Sequence, residues 1–325
     1  MKAQTVTLIG MNRTAVSVGL AIKASPLTMT VVGYDPEPSQ AQIAKEKLKA
    51  IDKAEWNLIN AASTADILII TLPAPELAAV FQVIGADIQP HTLILDLSTM
   101  KAAGLKLAHT YLPHGHYVGA RPILSAAMLT DAHLNMADGR ADLFRNSVFC
   151  LMPSPEADPK AVETAVNFGR LLGAVPYFLD PAEYDNLAQG IETVPGLMAA
   201  AMFGAIHHAT GWRDMLRFAD LPFALSTAAL QLAHDLGHQS LQDKEATLRW
   251  LDALINELHN FRRLIAQGDA DLLYTTLTDL QARRAKWLDE RSQNDWVEIK
   301  PPAVESRGIT DQMLGGWLTG KTKKS

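Results

Sequence analysis

Thr5-Val6-Thr7-Leu8-Ile9-Gly10-Met11-Asn12-Arg13-Thr14-Ala15 is the stretch whose reading decides the fold. Thr5 to Ile9 is a short run rich in β-branched residues, which reads as a buried strand, and Gly10 marks the turn that ends it. Met11 to Thr14 then lead into Ala15–Lys23, which reads as a helix. Strand, glycine turn and helix together open a dinucleotide-binding fold. In that fold a helix N-terminus presents unpaired N–H groups and a positive dipole end to a pyrophosphate. Cofactor contacts are therefore expected from Gly10, Met11, Asn12, Arg13, Thr14 and Ala15. The glycine fingerprint is incomplete, because Asn12 and Ala15 stand at its second and third places. Asparagine tolerates a positive φ better than most residues, so Asn12 is expected to hold the turn. Alanine is an accepted third residue, where the helix packs close to the strand.

A second β-rich run, Thr28 to Asp35, ends in an acid at about the spacing where a carboxylate binds the ribose 2′-hydroxyl of NAD. The alternative is that Asp35 caps the next helix. A carboxylate repels a 2′-phosphate, and Pro36-Glu37-Pro38 supply no arginine to receive one, so NAD is preferred to NADP. Further along, Ala65 to Thr71 is an unbroken apolar run that stops at Leu72-Pro73, which fits a parallel strand covered on both faces. Leu72 and Pro73 are then expected at the carboxyl end of the sheet, where ligands bind. Thr92 to Leu97 is another strand, and it delivers Ser98, Thr99 and Lys101 to the same edge. Ser98 or Thr99 also suits the cap of a following helix. Strands at His116–Ala120, closed by Arg121-Pro122, at Ser147–Met152 and at Val175–Leu179 continue the pattern, with helices expected at Ser39–Ile51, Glu76–Gly85 and Pro159–Leu172.

From Asp180 to about Leu288 the period changes to 3.6 and strands cease. Leu248, Leu251, Ile255, Leu258, Phe261 and Ile265 form one apolar stripe, suited to core packing or to a dimer seam. The expected fold is thus α/β: a Rossmann-like, doubly wound and mainly parallel sheet, followed by an all-α domain. By this reading residues 1–179 are the NAD-binding domain, 180–290 a helical domain for substrate and dimerisation, and 291–325 a C-terminal tail expected to be partly disordered, with Trp296 and Trp317 as its candidate anchors.

The 325 residues, 48% of them hydrophobic, suffice for two cores. A net charge of −6 argues against nucleic acid as a partner, and the basic end at Lys321, Lys323 and Lys324 reads as a solvated tail. The single cysteine, Cys150, excludes an internal disulfide and a multi-cysteine metal site. No histidine and carboxylate spacing suggests a metal. Val194–Ile206 is too short to span a bilayer, and the chain enters a strand with no leader, so a cytoplasmic protein without membrane contact is expected.

The order of these motifs, from about Val6 to Leu225, resembles the prephenate and arogenate dehydrogenases of tyrosine biosynthesis. The resemblance rests on Gly10-Met11-Asn12, Gly33-Tyr34-Asp35, Thr71-Leu72-Pro73, Asp96-Leu97-Ser98-Thr99-Met100-Lys101, Leu143-Phe144, Leu172-Gly173-Ala174 and Asp180-Pro181-Ala182-Glu183-Tyr184-Asp185. In the helical part, Gly211-Trp212-Arg213-Asp214-Met215-Leu216-Arg217-Phe218-Ala219 is similar to a family stretch whose second arginine holds a substrate carboxylate. The resemblance implies that Arg217, with Arg213 beside it, binds the substrate, and that Thr99 and Lys101 orient the reacting hydroxyl. The plain alternative is a solvated charge cluster of Arg213, Asp214 and Arg217.

The chain departs from the family where histidines are expected. Arg121 replaces the histidine that handles the hydroxyl proton, Tyr184 another, and Glu192-Thr193-Val194-Pro195-Gly196 stands for Ser-His-x-Pro-His. Arginine stays protonated and is no general base, so Arg121 is expected to donate hydrogen bonds or to bind a carboxylate. The implied activity is NAD-dependent oxidative decarboxylation of a cyclohexadienyl acid by a homodimer. Two alternatives stand beside it. One is a dehydrogenase of the β-hydroxyacid type, although residues 192–208 hold no lysine. The other is a nucleotide-binding homologue without catalysis.

Overall fold

The computed structural model describes residues 4–129, 135–230 and 236–294. Trp296, Trp317 and the terminal lysines lie outside the described residues. Eight strands form one sheet: β1 (Thr5–Ile9), β2 (Thr30–Tyr34), β3 (Lys53–Ala54), β4 (Ile67–Ile70), β5 (Leu93–Asp96), β6 (His116–Pro122), β7 (Val148–Pro153) and β8 (Val175–Phe178). Their order is β3-β2-β1-β4-β5-β6-β7-β8. Every pairing is parallel except β6 with β7. The chain starts in the middle, winds outward through β2 and β3, then returns past β1 to run outward the other way. Where the winding reverses, between β1 and β4, the connections on their carboxyl side diverge and leave a crevice.

The central strands are apolar on both faces because helices cover both. One face packs Val6, Leu8, Ile69, Leu95 and Val118 against α1 (Arg13–Ala24) and α6 (Pro159–Leu171). The other packs Ile9, Leu68, Ile70 and Ile94 against α4 (Ala74–Ile84) and α5 (Lys101–Tyr111). Two short helices complete this half: α2 (Pro38–Glu46) and α3 (Leu58–Ser63). Helix α2 is shorter than its charge pattern suggests. It gives way before Lys49, which takes a positive φ of 58° and turns the chain into the two-residue edge strand β3.

The helical part follows β8 as α7 (Pro181–Ala188), a π-helical stretch (Gln189–Thr193), α8 (Val194–His207), α9 (Trp212–Phe218), α10 (Leu221–Thr227), α11 (Leu236–Gln242), α12 (Lys244–Gln267) and α13 (Ala270–Gln293). Helix α13 runs three residues past position 290. Arg291 is buried, and its guanidinium donates to the Leu124 carbonyl at 2.6 Å. The end of the last described helix is thus fastened to the sheet domain rather than beginning a tail.

Candidate functional site

The turn after β1 is built by side chains as much as by glycine. Gly10 has φ +90°, and a Cβ there would stand 2.9 Å from both Leu72 Cδ2 and Thr71 Oγ1, so only glycine fits. Asn12 does not take the positive φ expected of it; at φ −109° and ψ −177° it is extended and caps α1. Its Oδ1 accepts from Ala15 N at 3.0 Å and its Nδ2 donates to Thr71 O at 2.8 Å. The helix therefore starts at Arg13, two residues earlier than its apolar run suggests. An N-cap needs extended backbone, and that requirement displaced the glycine-like conformation.

Asp35 follows β2 and turns back to this loop. One oxygen accepts from Met11 N at 2.6 Å and the other from Glu37 N at 2.8 Å. The carboxylate thus fixes the start of α2 and also faces the crevice. Each oxygen keeps a further lone pair for a ribose hydroxyl.

A crevice of about 410 Å³ crosses the carboxyl ends of five adjacent strands. Asp35 lies after β2, Gly10, Met11, Asn12 and Thr14 after β1, Thr71, Leu72 and Pro73 after β4, Leu97, Ser98 and Thr99 after β5, and Arg121 on β6. Gln239 of α11 closes it from the helical side. A larger hollow of about 560 Å³, lined by Pro26, Leu27, Phe168 and Leu171 among others, lies at the amino ends of the strands. It has neither the glycine turn nor a helix N-terminus, and ligands of parallel sheets bind at the opposite edge.

Ser98 and Thr99 carry the clearest sign of a ligand-binding surface. Both hydroxyl oxygens are buried with no hydrogen-bond partner among the described residues. A buried orphan hydroxyl costs about 1–3 kcal/mol, which a bound molecule recovers by bonding to it. Neither hydroxyl caps α5. The cap position is Met100, and the carboxylate of Asp185 on α7 accepts from Lys101 N at 2.7 Å and Ala102 N at 2.9 Å. Burial raises the Asp185 pKa above the ordinary carboxylate value, against the pull of these two N–H groups.

Lys101 does not reach the crevice. It is fully buried, and its ammonium donates to the Asp96 carbonyl at 2.8 Å and to the Ser98 carbonyl. It supports the turn that displays Ser98 and Thr99. Burial, reinforced by the charge of Arg121, pushes its pKa down to about 8. Gly104 lets Tyr117 and Asp96 approach beneath this turn, where the phenol donates to Asp96 Oδ2 at 2.7 Å.

Arg121 reaches the crevice and is held from behind. Its Nη2 donates to Glu192 Oε2 at 2.9 Å, and Tyr184 OH donates to Glu192 Oε1 at 3.3 Å. The Glu192 carboxylate raises the guanidinium's affinity for its proton still further. Burial, with the same carboxylate, raises the Tyr184 phenol well above its usual value. Cys150 lies opposite Arg121 in the β6–β7 register, and burial raises its thiol to about 11, so it stays protonated and inert.

The structure thus gathers Gly10, Met11, Asn12, Thr14, Asp35, Leu72, Pro73, Ser98, Thr99 and Arg121 around one crevice. Arg13 lies aside, buried beneath Asp138, whose carbonyl accepts from its Nε at 3.2 Å; Ala15 is packed in the core. Arg213 and Arg217 are exposed on α9 and do not line the crevice. Arg217 bonds Asp214 at 3.1 Å on its own helix. His207 packs with Phe203 and Trp212, also outside the lining. No group of three or more histidine, cysteine or acidic side chains among the described residues suits a metal ion.

Sequence reasoning did not pick out Glu192 or Gln239. Only the loss of the expected Ser-His at 192–193 hinted at the first. Nothing local marks the second. Gln239 is placed by the buried Gln189, which donates to its carbonyl at 3.1 Å and accepts from Thr247 Oγ1 at 3.0 Å.

Fold and crevice together, with a glycine turn at a helix N-terminus facing an acid after the second strand, have the layout of an NAD-dependent dehydrogenase. Residues 18–178 match the family described as prephenate dehydrogenase, nucleotide-binding domain. A prephenate dehydrogenase of Bacillus subtilis (strain 168) is 27% identical over 286 residues, covering 83% of this chain and 72% of that one. The fold is shared with a prephenate dehydrogenase from A. aeolicus solved with hydroxyphenyl propionate and NAD+. Its TM-score is 0.76 at 17% identity, over 88% of this chain and 99% of that one. It is shared also with a Synechocystis arogenate dehydrogenase, at TM-score 0.67 and 18% identity over 87% and 100% of the two chains. The nucleotide-binding half of the chain thus matches the prephenate dehydrogenase family, and the Bacillus relative carries the likeness into the helical part.

Proposed function

We propose that this protein oxidises prephenate or arogenate with NAD, with loss of the ring carboxylate as carbon dioxide. The observation that carries the reading is the juxtaposition in one crevice of Asp35, the α1 N-terminus, two unpartnered hydroxyls and a fixed guanidinium. The residues fit a dinucleotide: Asp35 for the adenosine ribose, Met11 to Thr14 for the pyrophosphate, and Ser98 and Thr99 for polar groups at the far end. When bound, NAD supplies the hydride acceptor. Thr99, at the edge of the cofactor site, also orients the substrate hydroxyl, and Arg121 donates to a substrate carboxylate. Lys101 keeps the hydroxyl-bearing turn rigid from below. No strong base is needed at the hydroxyl, because aromatisation drives the step and orientation carries the rate.

Arg217 is assigned the second substrate carboxylate, as the family resemblance implies; its guanidinium keeps donors beyond the one given to Asp214. Replacing it, Arg217→Ala, is expected to raise KM for the acid by roughly tenfold or more, as loss of a charged hydrogen bond does. A cytoplasmic homodimer through the helical part is the assembly this reading favours. Among the described residues no helix is long and apolar enough to cross a membrane. The family matches favour this substrate class over the hydroxyacid and non-catalytic alternatives.

The test is direct. Full-length protein with NAD and either acid is expected to show rising absorbance at the NADH wavelength. No turnover with either acid, at neutral or alkaline pH, overturns the reading.

A further inference from the structure

Three positions at which this chain departs from the family's motifs meet in space: Arg121 and Tyr184, each in place of a histidine, and Glu192, in place of a serine. Glu192 accepts from Arg121 Nη2 at 2.9 Å and from Tyr184 OH at 3.3 Å. The replacements act as one unit: a permanent cation has entered the crevice, and a carboxylate has been brought up behind it. The two sides of this pair differ in access. Arg121 lines the crevice and Glu192 does not.

The strand order tells which end of a dinucleotide this pair faces. The crevice runs from Asp35 after β2, past the α1 N-terminus after β1, to Thr99 after β5 and Arg121 on β6. With the adenosine ribose at Asp35 and the pyrophosphate at α1, the nicotinamide end falls beside Thr99 and Arg121. That ring is a cation in NAD+. Accepting a hydride adds two electrons and a proton and leaves the NADH ring neutral. A bare guanidinium beside it would repel the oxidised form and leave the reduced form indifferent.

We propose that Glu192 sets the redox preference of the site: its carboxylate neutralises Arg121, so that a site with arginine in place of histidine still accepts the cationic nicotinamide of NAD+. Glu192 is a positioning residue that acts through Arg121. The inference rests on the dehydrogenase reading above. Side-chain exposures of 31% for Arg121 and 25% for Glu192 keep the pair mostly out of solvent, where screening is weak. Tyr184 supports the carboxylate from its other oxygen and contributes no charge, since its phenol stays protonated. Lys101, the other cation nearby, is already bonded to the carbonyls of Asp96 and Ser98 on the inner side of the turn.

The measurement is the ratio of NAD+ to NADH affinity, taken by calorimetry or NADH fluorescence on the full chain. It needs neither substrate nor turnover. Glu192→Gln is expected to weaken NAD+ relative to NADH by on the order of tenfold, the size of one charge acting over several ångströms in a partly buried site. Arg121→Gln leaves the carboxylate unbalanced and is expected to shift the ratio the opposite way. The double variant is expected to return close to the wild-type ratio, and Glu192→Asp to keep it. General damage to the site does not produce shifts of opposite sign. A ratio in Glu192→Gln within about twofold of wild type overturns the inference, as does a shift of the same sign in Arg121→Gln. Should Glu192→Gln not fold, the sign of the Arg121→Gln shift decides alone. Wild-type protein that binds neither form defeats the underlying reading instead.

Discussion

Arg121 keeps its proton across the neutral range as any arginine does, and the carboxylate that stands against it strengthens the hold. A histidine base would make kcat/KM fall about tenfold per unit as pH drops below about 6.5. Here the profile is expected to stay flat between about pH 5.5 and 7.5 where histidine titrates, and a histidine-like inflection would contradict the assignment. Lys101 has a different signature. Its folded pKa of about 8 lies below its ordinary 10.5. Between those values the unfolded chain holds a proton that the native state has lost, so this group favours folding more as pH rises. Wild type compared with Lys101→Met by urea unfolding is expected to gain on the order of 2 kcal/mol between pH 7 and 9.5. No change in the difference would show that the ammonium is not desolvated. The positions of single residues were legible wherever a short spacing from a strand fixes them. Gly10, Asp35, Ser98 and Thr99 each sit just beyond a strand, and the strand itself tells where they go. Glu192 was not, because its partner Arg121 lies 71 residues away and no local pattern joins them.

Helix α5 shows how elements hold the site. Its first two N–H groups are met by Asp185, 84 and 83 residues away, so α7 is clamped beneath the Ser98–Thr99 turn. Asp185→Ala is expected to cost about 1–3 kcal/mol, read as a lower urea midpoint, because two N–H groups at a helix start lose their acceptor. An unchanged midpoint would contradict the clamp. From sequence, a cap by Ser98 or Thr99 was the natural expectation, since capping is a local habit. Tertiary packing supplied a better acceptor and released the two hydroxyls to the crevice. The apolar strands β1, β4 and β5 were legible because burial on both faces leaves an uninterrupted run. The small edge strand β3 and helix α3 were too short to register a period. The reversal of β7 left no trace either, since side-chain patterns carry no direction.

At the scale of the whole molecule, the strands end with β8 and only helices follow among the described residues, in step with the change of period at Asp180. What the sequence left open was the use of the α12 stripe. Leu248, Ile255, Leu258 and Ile265 are exposed, the last two at 55% and 65%. Leu277, Leu280 and Trp287 of α13 are exposed as well, and the proposed homodimer would cover apolar surface of this kind. Leu258→Glu combined with Ile265→Glu is expected to turn a dimer into a monomer in light scattering. A monomeric wild type would remove the dimer from the account. The proposed activity depends above all on the glycine turn and Asp35 holding an NAD. Calorimetric titration of wild type and Asp35→Ala with NAD+ and with NADP+ tests it most directly. Wild type is expected to bind NAD+ at least about tenfold more tightly than NADP+, and Asp35→Ala to lose about tenfold in NAD+ affinity and most of that preference. Wild-type protein that gives no binding heat with NAD+, or an Asp35→Ala variant that binds it equally well, would contradict the account.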